Sequence, residues 1–106
     1  MSEVIDHVGI RVSDLAASRR MYEAALAALG FTVLSEGVFE GDVHVVFGRD
    51  GNDDFAIHSV GTKPGRDRVT TGAHIAFTAP GESEVDRWHA AAVREGATDN
   101  GAPGLR

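Results

Sequence analysis

Histidines offer the most versatile chemistry in this sequence, because an imidazole near neutral pH can bind a metal ion or transfer a proton. Two of the five histidines, His7 and His74, each begin a segment in which apolar residues alternate with small or polar ones. Residues 74–79 repeat the order of residue types in residues 7–12. Because duplicated units place matching residues in equivalent positions, we expect His7 and His74 to point into one cavity. Imidazole pairs of this kind suit Zn, Fe, Ni or Mn.

Other polar residues on the predicted strands allow more than one interpretation. The residues alone leave three interpretations of His58 open: a metal ligand, a substrate contact or a partly exposed strand residue. His44 and Arg11 are predicted substrate contacts, Arg11 for a carboxylate, although a solvated strand end also explains an arginine. His89 lies beside Trp88 in an amphipathic pattern, which favours helix packing. The sequence identifies no general base.

The elements that must position these side chains follow from hydrophobic periodicity and turn residues. Alternation predicts strands over residues 5–12, 42–48, 55–60 and 73–79, with a further strand that begins at 31–34 and is broken near 36–37. Helical spacing predicts helices over residues 14–29 and 82–95, each ended by a glycine. The polar stretch 49–53 is predicted to be a hairpin loop.

These elements form two units of unequal length. Residues 1–61 are predicted to run β-α-β-β-β, and residues 62–71 form a linker rich in turn formers and charge. Residues 72–106 contain only the strand and helix that begin a second copy. Matching histidines and matching helix lengths favour duplication over chance. We therefore expect an α+β protein of paired βαβββ modules, with the second module incomplete in this chain.

Composition and charge exclude several classes of partner. Sixteen acidic residues against ten basic ones give a net charge of −6, which argues against nucleic-acid binding. No apolar run approaches the ~20 residues of a membrane-spanning helix, and the first residues carry no secretory signal. The lack of cysteine removes disulfides and thiolate chemistry. We expect a small cytoplasmic protein without nucleic-acid or membrane partners.

Four short stretches carry a resemblance to a known family. Residues 5–18 are IDHVGIRVSDLAAS, residues 21–26 are MYEAAL, residues 29–31 are LGF, and residues 72–77 are GAHIAF. This pattern resembles the vicinal oxygen chelate superfamily, which includes glyoxalase I, extradiol dioxygenases, fosfomycin-modifying enzymes and bleomycin resistance proteins. Met21 stands where the family more often has phenylalanine, which affects packing only. The resemblance is specific for the fold and weak for the reaction.

The resemblance implies two βαβββ modules that curl around a cavity holding a divalent metal ion. Ligands in the family come from the first and fourth strands of each module, which implies His7, His58 and His74 in this chain. The fourth ligand of the family, usually a glutamate, has no counterpart before Arg106. The implied cofactor is therefore Zn, Ni, Mn or Fe, held by these three histidines.

The resemblance also implies a function. We expect either a metal-dependent lyase of the lactoylglutathione lyase kind or a dioxygenase, in which the metal chelates two neighbouring oxygens of a small substrate and stabilises an enolate-like anion. The alternatives are a metal-free protein that sequesters a small molecule, as bleomycin resistance proteins do, and a remnant without activity. Histidines at the ligand positions favour the enzyme. A homodimer is expected, because an unpaired strand at residues 73–79 invites association; the alternative is that this chain is the ordered part of a longer polypeptide that supplies the missing strands.

Overall fold

A computed structural model describes residues 5–104 of the chain as a four-stranded mixed sheet with two helices. The elements are β1 (Val8–Val12), α1 (Leu15–Ala27), β2 (Thr32–Phe39), β3 (Asp42–Arg49), β4 (Asn52–Ser59) and α2 (Glu82–Arg94). The strand order is β1-β4-β3-β2. β1 pairs with β4 in parallel, and the other two pairs are antiparallel. The predicted α+β class and the predicted β-α-β-β-β order are confirmed.

Helix α1 begins and ends at the residues that its capping chemistry favours. The carboxylate of Asp14 accepts a hydrogen bond from the backbone N–H of Ala17, which would otherwise lack a partner inside the helix. At the other end Gly30 adopts a left-handed conformation with φ of 85°. That turn lets the N–H of Phe31 donate to the carbonyl of Leu26 over 3.0 Å. This turn places the side chain of Phe31 in the core.

The core lies on one face of the sheet only. Val45, Phe47, Phe55 and Ile57 project from the two central strands, and the end of α1 covers them with Leu26 and its neighbours. Burial of each such side chain contributes about 1.5–3 kcal/mol of hydrophobic stabilisation. Apart from the buried carboxylate of Asp42, most side chains on the opposite face of the sheet are half-buried or exposed. We call that second face the open face, and it carries the candidate site.

Two tight turns close the hairpins of the sheet. Glu40 and Gly41 connect β2 to β3, and Asp50 and Gly51 connect β3 to β4, all with positive φ. Paired positive φ values give the twist that two-residue hairpins require. The predicted loop at 49–53 is therefore too long, because β4 already begins at Asn52. The predicted break near 36–37 is also wrong, since β2 continues through it after an irregularity between Val33 and Ser35.

Residues 73–79 do not form the predicted strand, although their side chains are alternately buried and exposed as in a strand. Ile75, Phe77 and Ala79 pack against the core, and the intervening residues are exposed. A strand also needs a neighbour with which to exchange backbone hydrogen bonds. Within residues 5–104 this segment pairs with neither edge strand of the sheet and belongs to no ladder.

Smaller differences concern element ends and the linker. β1 begins at Val8 rather than at residue 5, and α1 and α2 are each slightly shorter than predicted. Inside the linker, Thr70 exchanges backbone and side-chain hydrogen bonds with Arg11 of β1. Neither described helix is both long and apolar enough to cross a membrane. Expectations that involve residues 1–4 and 105–106 lie outside the described part of the chain.

Candidate functional site

The open face brings together four of the five predicted site residues, all except His74. Sheet register places Arg11 beside His58, His58 beside His44, and His44 beside Gly37. A cavity of about 270 Å³ opens on this face. Its lining consists of three histidines, one carboxylate and a mostly apolar wall: His7, His44, His58, Asp53, Phe39, Val46, Phe55 and Ala56.

His44 and His58 lie side by side across the β3–β4 pair. Their ring centroids are 5.8 Å apart and the ring planes are inclined by 45°. Each ring rests over a glycine on the outer neighbouring strand. A Cβ atom at Gly9 would lie 3.0 Å from Nε2 of His58, and one at Gly37 would lie 3.4 Å from the ring of His44. The two glycines therefore leave the space that the imidazoles occupy.

The surroundings of His58 favour its neutral form. Partial burial lowers the pKa of His58 most, and electrostatic interactions with Arg11, His44 and Arg66 lower it further, while Asp42 raises it. A lowered pKa leaves the imidazole unprotonated near neutral pH. In that state His58 has a lone pair available for a metal ion or a proton.

Arg11 is engaged by the protein itself. Its guanidinium donates to the carboxylate of Asp42 over 2.7 Å and to the backbone carbonyl of Ser59 over 3.1 Å. Arg66 approaches the same carboxylate, at 3.7 Å. A substrate carboxylate would therefore have to compete with Asp42 and with the carbonyl of Ser59 for this guanidinium. The substrate contact predicted for Arg11 stays a prediction.

His7 forms a small group with two carboxylates at the other end of the cavity. Its Nδ1 atom lies 3.0 Å from a carboxylate oxygen of Asp6, and one ligand atom from each of Asp6, His7 and Asp53 lies within 4.8 Å of the others. The hydrogen bond to Asp6 raises the pKa of His7 most, and Asp53 adds to that against desolvation. One imidazole and two carboxylates are a donor set that divalent transition metals accept. The residues present therefore fit the implied metal.

A β-bulge directs Asp53 to this group. Phe47 pairs with Phe55, yet the next pair along the strands is Gly48 with Asp53, so Asp54 is an extra residue in β4. A bulge of this kind reverses the alternation beyond it and re-aims a side chain. The sequence pattern predicts a loop at Asp53, so Asp53 is not among the predicted site residues. The Asp50–Gly51 dipeptide, a strong signal for a two-residue turn, is the feature that could have placed Asp53 in the strand.

His74 lies apart from this arrangement. It is exposed, it does not line the cavity, and within residues 5–104 it belongs to no group of three ligating side chains. The predicted convergence of His74 with His7 stays a prediction, because the family resemblance allows the modules of one site to come from different chains.

The sequence and the fold are similar to those of known proteins. The family model of the Glyoxalase/Bleomycin resistance protein/Dioxygenase superfamily matches residues 4–106. A solved structure described as a glyoxalase/bleomycin resistance protein from Albidiferax ferrireducens T118 is similar, with a TM-score of 0.67 and 24% sequence identity. The match covers 98% of this chain and 80% of that one. No curated protein matches the sequence. At this identity the structural likeness shows the fold.

Proposed function

Because the chain belongs to the glyoxalase/bleomycin resistance protein/dioxygenase superfamily, we propose that its open face binds a divalent metal ion and a small substrate that presents two neighbouring oxygens. The observation that carries this proposal is the cavity itself, which has His7, His44 and His58 together with Asp53 in its lining. The proposed reaction class is that of a metal-dependent lyase or dioxygenase. The proposed metal is Zn, Ni, Mn or Fe.

Each lining residue has a proposed role. His7 would hold the metal with Asp6 and Asp53, and the family resemblance adds His58 and His74 as ligands. When bound, the metal supplies a Lewis acid that stabilises negative charge on the substrate oxygens. His44 contacts the substrate, and a carboxylate beside His7 serves as the general base. Phe39, Val46 and Ala56 give the cavity an apolar wall.

Manganese binding tests the metal-dependent proposal. The mixed carboxylate and imidazole donors at His7 suit Mn²⁺, whose binding is measured by the loss of its free electron-paramagnetic-resonance signal. We expect His7→Ala to weaken binding by about tenfold or more, since it removes a ligand. Affinity should also fall as pH drops through the imidazole range, because only neutral histidine binds metal. His89→Ala, on helix α2, is the matched control.

The outcome separates enzyme from sequestering protein. Unchanged Mn²⁺ affinity in a His7→Ala/His74→Ala double variant that remains folded would show that the metal proposal is wrong. Binding of a small hydrophobic drug by metal-free protein at undiminished affinity would then favour sequestration. The proposed homodimer is tested by light scattering, in which a monomer of 11.2 kDa would contradict it.

A further inference from the structure

A second cavity lies on the helix-covered side of the sheet, opposite the open face. Its volume is about 400 Å³, and its walls include the sheet, both helices and residues 70–77. Four aromatic side chains line it, one from each of these walls: Tyr22 of α1, Phe55 of β4, Trp88 of α2 and Phe77. We call this the aromatic cavity. None of the histidines and carboxylates of the site on the open face lines it.

Residues 70–77 form the wall that can move. They belong to no ladder of the described sheet. A neighbouring cavity of about 270 Å³ is also lined by Ile75, Phe77 and Trp88, so these three side chains have space beside them in both directions. Protein interiors are normally packed without spaces of this size. The three side chains can therefore shift around a ligand while the sheet stays fixed.

The lining determines which charge a ligand can carry. The chain has sixteen acidic and ten basic residues, yet within residues 5–104 no charged side chain and no histidine lines the aromatic cavity. A charge that is buried without a partner is strongly unfavourable. Planar aromatic molecules, in contrast, gain edge-to-face and offset-stacked contacts with aromatic side chains. The lining therefore favours a neutral aromatic ligand.

Two hydrogen-bond donors accompany the aromatic rings. Within residues 5–104 neither the hydroxyl of Tyr22 nor the indole N–H of Trp88 is hydrogen-bonded to the protein, and neither atom is fully buried. Burial raises the pKa of Tyr22, so its hydroxyl keeps its proton at neutral pH. A ligand that carries an acceptor atom would give this hydroxyl a partner.

The volume of the cavity limits the size of the ligand. A cavity of about 150 Å³ in another protein holds one benzene molecule. The aromatic cavity, at about 400 Å³, has room for a larger ring system and lies in the size range of small-molecule sites. A ligand of roughly two fused rings fits these limits.

We propose that the aromatic cavity is a second small-molecule site, which takes a neutral, bicyclic aromatic ligand with a hydrogen-bond acceptor that faces the hydroxyl of Tyr22. The site lies on the other side of the sheet from the metal-dependent site under Proposed function. It needs no metal ion, and it does not rest on that function.

Titration of the whole chain with quinoline tests this proposal, because quinoline is a neutral bicyclic aromatic with one ring-nitrogen acceptor. Trp88 is the single tryptophan of the chain, so its indole N–H signal in NMR reports directly on the cavity. We expect quinoline to shift this signal saturably and to leave the ring signal of His44, on the open face, unchanged. Naphthalene-2-sulfonate, an anion with two fused rings, should not shift it at the same concentrations.

Two variants locate the site. Ala97 is half-buried and lines the cavity, and Ala97→Leu should weaken quinoline binding by about tenfold or more because the larger side chain fills the space. Ala102→Leu, at an exposed position outside the cavity, is the matched control and should leave binding unchanged. Tyr22→Phe should weaken quinoline binding by about fivefold and leave binding of naphthalene, which has no acceptor, unchanged.

Four results would overturn the proposal. The first is a quinoline titration without a saturable shift of the Trp88 signal. The second is a shift of the His44 ring signal instead, which would place the ligand on the open face. The third is undiminished quinoline affinity in folded Ala97→Leu protein. The fourth is a Trp88 response to naphthalene-2-sulfonate as strong as that to quinoline. The Trp88 signal of the unaltered protein gives an answer even where a variant does not fold.

Discussion

Arg11 and Asp42 form an ion pair with a closest nitrogen–oxygen distance of 2.7 Å, in which the carboxylate side chain is only 3% exposed. The pair links edge strand β1 to the first residue of β3 across the intervening β4. Arg66, from the linker, approaches the same carboxylate. The buried charge of Asp42 thus ties the sheet to the linker that follows it.

Removal of the Asp42 carboxylate should destabilise the fold. We expect Asp42→Ala to lower the free energy of unfolding by about 3 kcal/mol, because it leaves the largely buried guanidinium of Arg11 without its partner. Urea unfolding measures the change. Glu84→Ala, which breaks the exposed pair with Arg87 on α2, is the control and should cost less than about 1 kcal/mol. Equal losses in the two variants would contradict the buried role of Asp42.

The bulge in β4 predicts which aspartates raise the pKa of His7. Asp6→Asn should lower the pKa of His7 most, because it removes the charged hydrogen-bond partner, and Asp53→Asn should lower it less. Asp54→Asn should change it least, since Asp54 is absent from the group around His7. NMR titration of the His7 ring measures all three. A larger effect of Asp54 than of Asp53 would show that the bulge is misplaced.

Glycine at position 48 should be harder to replace than a glycine in a strained turn. A Cβ at Gly48 would overlap the backbone carbonyl of Asn52 and lie 2.6 Å from a methyl group of Leu34. We expect Gly48→Ala to cost about 3 kcal/mol or more, because backbone must move. Gly41 has φ of 86° but open space around it, so Gly41→Ala should cost only about 1–2 kcal/mol. Thermal or urea unfolding ranks the two, and the reverse order would contradict the prediction.

Tyr22, the single tyrosine of the chain, should titrate at unusually high pH. Burial raises its pKa above the ordinary value of 10.0. The centroid of its ring lies 5.0 Å from that of Phe55. A raised folded-state pKa means that its contribution to stability is complete below pH 10 and is lost as pH rises through the folded-state value. Tyrosinate absorbance measures this titration in folded and urea-unfolded protein. Tyr22→Phe should remove this part of the alkaline loss of stability, and equal pKa values in the two states would contradict the prediction.

Local features of the sequence determined much of the fold. The cap at Asp14 and the terminator at Gly30 each act within a few residues, so sequence alone located helix α1. Period-two alternation likewise separated the buried residues of β3 and β4 from His44 and His58 on the opposite face. These signals are visible in sequence because their physical causes, capping and alternation of side chains, operate between near neighbours in the chain.

Tertiary structure decided what depends on distant partners. The bulge that directs Asp53 toward His7, the ion pair that engages Arg11, and the contact between His44 and His58 all arise from strand register. The segment at 73–79 has a strand pattern but pairs with no strand among the described residues. Alternation tells which face a side chain takes, whereas its partners depend on which strand lies beside it and in what register.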